Sequence, residues 1–457
     1  MTTPARLTLA EALASARETR DLTLGRGIVA GTAAVFTRHF PGRTAVVVTD
    51  RKNHERAGSA VVSSLVAAGI ERRPDFVFAG ENLYAEFPHV ARLEASLREH
   101  DAIPVAVGSG TINDLVKLAA HRAGRESYLC VATAASMDGY TAFGASITHD
   151  GAKQTFSCPA PRAVVADLDV IAGAPPEMTA AGYADLLAKV TAGADWILAD
   201  ALGEEPLEPR AWSIVQGGLR DALADPGGAR RGEVAAIGPL TEGLMLGGFA
   251  MQWSRSSRPA SGAEHQFSHL WDMEHHTHRG EAPSHGFKVG VATHAISRLY
   301  EEFIRLGPEA FDPDAAARAW PDSPVNNEAA IRARFHGSGF VETAVTECRS
   351  KSIEATALRA QLTRLRDEWP AIRDRLRTQL LPAAEVKRRL AAVGAPTEPG
   401  DRPPAHPPPR QLPARVPHPP PLHRPRRRRA GQPARPAPRP DLRPRRLLGH
   451  ERLKRTN

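Results

Sequence analysis

"AIPVAVGSGTINDLVKLAAHRAG" (Ala102–Gly124) sets a short apolar run against a helical one through a Gly-Ser-Gly turn. The apolar run reads as a buried strand, and the segment after it as a helix that Gly124 stops. Glycines let the backbone approach a phosphate closely. The free N–H groups and dipole of the helix N-terminus then attract the anion. A tight strand-to-helix turn needs glycine for its own sake too. Asn113 also stands where a full GxGxxG would have its third glycine.

The neighbouring segments repeat the alternation. "TAVVVTD" (Thr44–Asp50), "DFVFAG" (Asp75–Gly80) and "YLCVATAAS" (Tyr128–Ser136) read as strands. "HERAGSAVVSSLVAAGI" (His54–Ile70) and "AEFPHVARLEASLREHD" (Ala85–Asp101) read as helices between them. Such alternation predicts a parallel sheet with helices on both faces. Asp50 ends an early strand, where a carboxylate suits a ribose hydroxyl; Arg51 and Lys52 beside it suit a 2′-phosphate, so NAD and NADP both stay open.

Beyond about Pro175 the character changes to long helical segments. They are "TAAGYADLLAKVTAGADWILADAL" (Thr179–Leu202), "EVAAIGPLTEGLMLGGFAMQWS" (Glu233–Ser254), "HGFKVGVATHAISRLYEEFIRL" (His285–Leu306) and "SIEATALRAQLTRLRDEWPAIRDRLRTQLL" (Ser352–Leu381). The expected organisation is an α/β dinucleotide-binding domain over 1–175, an all-α metal and substrate domain over 176–396, and a Pro/Arg-rich tail over 397–457.

The 457 residues suffice for two or three cores, and 42% hydrophobic with 24% charged residues is ordinary for a soluble globular chain. No run of about 18 apolar residues is apparent, so no membrane span is expected. The N-terminus lacks a signal-peptide pattern. Cys130, Cys158 and Cys348 lie far apart and form no CxxC motif, which fits buried free thiols in a reducing cytoplasm. The net charge of +8 is uneven. From Asp401 onward 16 Lys and Arg face 3 Asp and Glu, a local +13, so the first 400 residues carry −5. The same tail holds 16 of the 39 prolines and no Phe, Tyr or Trp. It is expected to be disordered and solvated, without a specific nucleic-acid partner.

"SGAEHQFSHLWDMEHHTHRGEAPSHG" (Ser261–Gly286) holds six histidines. His265 and His269, four apart, share one face of a helix. Spacing alone does not choose between them as a metal ligand. His285 opens another helical segment, and Asp185 lies in a third. Three ligands from three elements leave positions open for water or substrate, as a catalytic metal requires. His275, His276 and His278 sit in a polar connection and read as solvated. Taken singly, Asp185 on a wet helix face, Asp138 as a turn former and Lys153 or Lys189 as surface charges are the ordinary readings.

Six segments in order change that balance: "VGSGTINDLVK" (Val107–Lys117), "VATAASMDGYTA" (Val131–Ala142), "AVVADLDVIAGAP" (Ala163–Pro175), "GYADLLAKVTAGADW" (Gly182–Trp196), "SRPASGAEHQFSH" (Ser257–His269) and "HGFKVGVAT" (His285–Thr293). Over roughly residues 25–395 the chain resembles the glycerol-1-phosphate dehydrogenases. That group belongs to the superfamily of iron-type alcohol dehydrogenases, glycerol dehydrogenase and 3-dehydroquinate synthase. The resemblance implies a cytoplasmic, homo-oligomeric oxidoreductase of phospholipid metabolism. It would use NAD or NADP and one divalent metal (zinc, nickel or iron) to interconvert dihydroxyacetone phosphate and sn-glycerol 1-phosphate.

Carried over residue by residue, the resemblance makes Asp185, His265 and His285 the metal ligands. His269 and Asp138 become substrate-binding residues, joined by Asp185. Gly108, Ser109, Gly110, Thr111, Ile112, Thr133, Ala134, Ala135 and Ser136 fall in the cofactor segments. Lys153 and Lys189 are candidate partners for the substrate phosphate. Ala142 stands where the family often has a serine, which implies one hydrogen bond fewer at the cofactor. The alternatives are a glycerol dehydrogenase or other polyol dehydrogenase, a cyclase of the dehydroquinate synthase type, an inactive homologue, or a nucleic-acid binder acting through the basic tail.

After "LAAVGAPTEP" relatives continue with folded sequence, whereas this chain turns to Pro, Arg, Ala and Gly, the residues of GC-rich codons. An altered reading frame is the expectation. Sequencing the source DNA across the codons near Glu398 is expected to show the shift; an intact frame there ends the idea.

Overall fold

The computed structural model describes residues 6–80, 83–149, 152–278, 280–323 and 325–401. Residues 402–457 of the Pro/Arg tail lie outside the described residues, and the expectation of disorder lies outside them there; its first residues, 397–401, are described, with the Thr397 and Glu398 N–H groups donating to Asp401 (3.0 and 2.9 Å). Six strands form one parallel sheet in the order β1-β8-β5-β4-β2-β3. They are β1 (Asp21–Gly25), β2 (Ala45–Asp50), β3 (Phe76–Phe78), β4 (Ile103–Gly108), β5 (Leu129–Ala132) and β8 (Ala163–Asp167). A separate antiparallel hairpin joins β6 (Ala145–His149) to β7 (Ala152–Phe156). Along β4, Val105 and Val107 pack with Phe36, Val61 and Leu65 on one face of the sheet. Ala106 packs with Leu93 and Leu115 on the other. Both faces are covered, so β2, β4 and β5 read as unbroken apolar runs.

Strand order reverses between β2 and β4. The chain leaves β2 toward β3 on one side, then crosses back to β4 and continues to β5 on the other. In open parallel sheets the crevice beyond the carboxyl ends at such a switch point receives the ligand. Asp50, Gly108 and Ala132 end the three strands concerned, in register through the pairs Val48 with Ala106 and Gly108 with Ala132.

Residues 168–393 are helical where they have regular structure. Three points differ from the sequence expectation. β1, β8 and the β6–β7 hairpin were not anticipated as strands. The segment Thr179–Leu202 divides into two helices, Pro176–Leu187 and Lys189–Leu202, with Ala188 between them. The Val234–Ser254 helix is long and apolar enough, by length and composition, to cross a membrane, the one such helix among the described residues. Thr241 and Glu242 interrupt its apolar run, and 61% of its most apolar window is buried inside the fold. Cys130 and Cys158 are buried as expected; Cys348 is only half-buried, on a helix facing less of the core.

Close approach at glycine sets how these helices meet. A Cβ at Gly182 would run into the backbone carbonyl of Ala135, and one at Gly286 into the carbonyl of Ala181. The Pro176–Leu187 helix therefore lies against the loop after β5, and the His285–Leu306 helix lies against it in turn. Gly286→Ala is expected to lower stability by about 1–3 kcal/mol through overpacking. A urea or thermal unfolding midpoint unchanged from the parent would contradict this.

Candidate active site

The turn after β4 carries the predicted cofactor residues. Ser109 caps the Gly110–Arg122 helix without a side-chain hydrogen bond, leaving the first-turn N–H groups without that partner. Asn113, in place of a third glycine, is buried: its amide donates to the Gly139 carbonyl (3.2 Å) and its oxygen accepts from the Tyr128 hydroxyl (2.9 Å). Thr133 follows β5; its N–H donates to the Gly108 carbonyl (3.1 Å) and its hydroxyl to the Asn53 side chain (2.7 Å). Asn53 in turn donates to both oxygens of Asp50 (2.8 and 2.7 Å). The segments 50–53, 108–112 and 133–136 thus meet beyond the carboxyl ends of β2, β4 and β5. The loop beyond them is pinned by Lys117, whose buried ammonium donates to the carbonyls of Gly139, Ala142 and Gly144 at 3.0, 2.9 and 2.8 Å. Ala142 is buried there and contributes through its backbone.

Asp185 leaves the Pro176–Leu187 helix facing that loop and is wholly buried. Its Oδ2 accepts from the Asp138 N–H (3.2 Å). Its Oδ1 pairs with Lys189, one turn along, at 2.8 Å, and Lys189 pairs with Asp138 at 2.7 Å. Lys189 is completely buried between two carboxylates. It is therefore spent as an internal counter-ion and is not available to a substrate phosphate, contrary to the expectation from sequence.

The Ala263–Met273 helix brings His265 to Asp185, with Nε2 3.7 Å from Oδ1. His285, first residue of its own helix, stands beside it with ring centres 5.3 Å apart. Ligand atoms of Asp185, His265 and His285 all lie within 4.8 Å of one another. Donors on one ion of zinc size sit about 3–3.5 Å apart, so closing this triad takes shifts of about 1 Å. One carboxylate and two imidazoles suit zinc, nickel or iron, and the group fits. His269 lies further along the same helix face, 6.4 Å from His265 between ring centres. His275 and His276 are exposed and His278 half-buried, so the polar connection places none of them in the triad.

Charge compensation explains the titration of these groups. Burial would raise the Asp185 pKa, but Lys189, His265 and His285 outweigh it and hold the carboxyl well below its usual range. Burial also opposes charge on His265, yet the carboxylates of Asp185 and Glu264 push its pKa up to about 9. His269 goes the other way, down to about 4, through burial and the nearby charges of His265 and Lys153. Burial and Lys153 also hold His285 well below the ordinary imidazole value. Burial, then the charge of Asp185, raises Asp138.

Glu264 was not anticipated, although it immediately precedes His265. Its buried carboxylate accepts from the Gly262 N–H (2.7 Å) and the Thr191 hydroxyl (2.8 Å), and meets His265 Nδ1 at 2.8 Å. An acceptor at Nδ1 leaves Nε2 as the ligand atom turned to Asp185.

Residues 23–175 match the family described as iron-containing alcohol dehydrogenase. The chain is 35% identical over 272 residues to glycerol-1-phosphate dehydrogenase (NAD(P)+) of Halalkalibacterium halodurans, covering 59% of this chain and 68% of that one. It is 32% identical over 283 residues to the enzyme of the same name from Pyrococcus furiosus, covering 62% and 78%. The solved structure of glycerol dehydrogenase from Schizosaccharomyces pombe resembles it in fold, with a TM-score of 0.52 at 17% identity over 79% of this chain and 90% of that one.

Glu264→Gln, which keeps shape but removes the acceptor's charge, is expected to weaken zinc binding about 10–100-fold. Competition with a chelator of known affinity measures this. Unchanged affinity would mean that Glu264 does not orient His265.

Proposed function

The chain belongs to the glycerol-1-phosphate dehydrogenase branch of the iron-containing alcohol dehydrogenases, and from that premise we propose that it catalyses the reversible NAD(P)H-dependent reduction of dihydroxyacetone phosphate to sn-glycerol 1-phosphate. The observation that carries this reading is the meeting of Asp185, His265 and His285, tied through Asp138 to the loop that follows β5. On this reading a cofactor half over 1–175 and a metal and substrate half over 176–396 each contribute to the site. The unpaired thiols among the described residues fit a reducing cytoplasm.

When bound, a divalent ion would act as a Lewis acid on the substrate carbonyl, and the nicotinamide would give or take the hydride. Asp185, His265 and His285 hold the ion; zinc, nickel and iron all suit them. The N–H groups at Ser109–Ile112 hold the pyrophosphate, with Thr133–Ser136 and Asp50 along the rest of the cofactor. Asp138, oriented by Lys189, holds a substrate hydroxyl. His269, with a pKa of about 4, is neutral near pH 7, so its ring can donate from one nitrogen and accept at the other. It relays a proton from solvent to the C2 oxygen.

Absorbance at the nicotinamide band tests the reading. Dihydroxyacetone phosphate is expected to consume NADH or NADPH with zinc, nickel or iron present, and dihydroxyacetone at least about 100-fold less well. Asp185→Ala and His285→Ala are expected to lose at least about 100-fold of the metal-dependent rate while still binding NADH. Faster turnover of dihydroxyacetone would point to a polyol dehydrogenase, and full activity in metal-stripped variants would refute the metal assignment.

A further inference from the structure

One part-buried charge cluster beside the triad has no role in the mechanism above, though it holds Lys153, a candidate from sequence for the substrate phosphate. The Ala263–Met273 helix carries His265, His269 and Asp272 at i, i+4 and i+7, along one face. The His285–Leu306 helix carries His285 and Lys288 at i and i+3, again along one face. Lys288, 6% exposed, ion-pairs with Asp272 Oδ1. Lys153 arrives from β7 of the hairpin, with Nζ 3.7 Å from Asp272 Oδ2. That second oxygen is buried and accepts no hydrogen bond among the described residues. Two ammoniums thus face one carboxylate, leaving one positive charge in excess. Burial works against the charge on Lys288, and Asp272 works to retain it.

The cluster lies next to the reacting centre. Asp272 stands one turn beyond His269 on the first helix, and Lys288 one turn beyond His285 on the second, so the ion pair that joins them flanks the triad. Lys288 follows His285 by one helical turn, about 5 Å along the axis, which is on the scale of the carbonyl-to-phosphorus span of a triose phosphate.

We propose that Lys153 and Lys288 seat the substrate's phosphoryl group, and that Asp272 holds both ammoniums until the phosphate displaces it. The proposal rests on the function assigned above. A phosphate dianion offers more charge and more acceptor oxygens than one carboxylate, so it competes for the pair. An uncharged triose offers neither, and Asp272 stays in place. The cluster therefore selects phosphorylated over free triose by exchanging one anion for another. If it served only to tie the hairpin to the two helices, the same residues would affect stability and not anion binding.

Inorganic phosphate titrated calorimetrically into the zinc-loaded full-length protein, with its unfolding midpoint measured alongside, distinguishes these. Lys288→Met is expected to weaken phosphate binding about tenfold or more, and Asp272→Asn to tighten it several-fold. Lys153→Met, at the more exposed partner, covers the case in which Lys288→Met fails to fold, and is expected to weaken binding likewise. Phosphate affinity indifferent to both lysines, or absent in the parent, overturns the seat; weaker binding in Asp272→Asn overturns the displacement. Phosphate binding is read without turnover. An inactive parent that still binds phosphate through the lysines would sink the dehydrogenase reading and spare this one, and an active parent whose phosphate binding ignores them would do the reverse.

Discussion

A carboxylate with no exposure to water must find its counter-charge inside the protein, and Asp185 is such a group. Leaving it uncompensated would cost several kcal/mol. Lys189 one turn along the chain, the Asp138 N–H from the loop after β5, and the imidazole of His265 supply the compensation. Each comes from a different element, so satisfying one charge fixes the relative positions of two successive helices, a third helix and a loop. The same demand gathers an oxygen donor and two imidazoles at one point. Folding and site assembly are, at this position, one event.

Glycine makes the arrangement sterically possible. Gly182 allows the helix of Asp185 to rest on the backbone at Ala135, and Gly286 allows the helix of His285 to rest on the backbone at Ala181. Through these two contacts Asp185 and His285 are held against the loop that leaves β5. β5 is hydrogen-bonded to β4, whose Gly-Ser-Gly turn opens at the switch point of the sheet. The distance between the Gly-Ser-Gly turn and the triad is thus set by backbone-to-backbone packing rather than by long side chains.

On one helix face two imidazoles one turn apart are driven in opposite directions, His265 to about 9 and His269 to about 4. Burial disfavours charge on both. His265 has two carboxylates within reach, Asp185 and Glu264, whereas the positive charges of His265 and Lys153 act on His269 more strongly than the carboxylate of Asp272. The environment, not the residue type, sets the two imidazoles apart. Glu264 sustains the difference by occupying Nδ1 of His265.

Much of this was legible from residues alone. β2, β4 and β5 are covered on both faces and so appear as continuous apolar runs, and the Gly-Ser-Gly turn marks where a helix N-terminus opens beyond a strand. Mixed polarity hid β1 ("DLTLG"), which runs along the sheet edge, whereas the hairpin had a signal that went unread, the Asp150-Gly151 dipeptide between two short alternating runs. HxxxH spacing placed His265 and His269 on one face but could not rank them; the carboxylates at 185 and 264 do so, and only one of those is a sequence neighbour. Lys189 looked like any surface lysine until burial put it between two acids. Periodicity along a chain determines what lies on one face of one element, because the helix and strand repeats are local. Which faces meet is decided by packing between residues some 80 to 100 positions apart, and that information exists only in the folded protein.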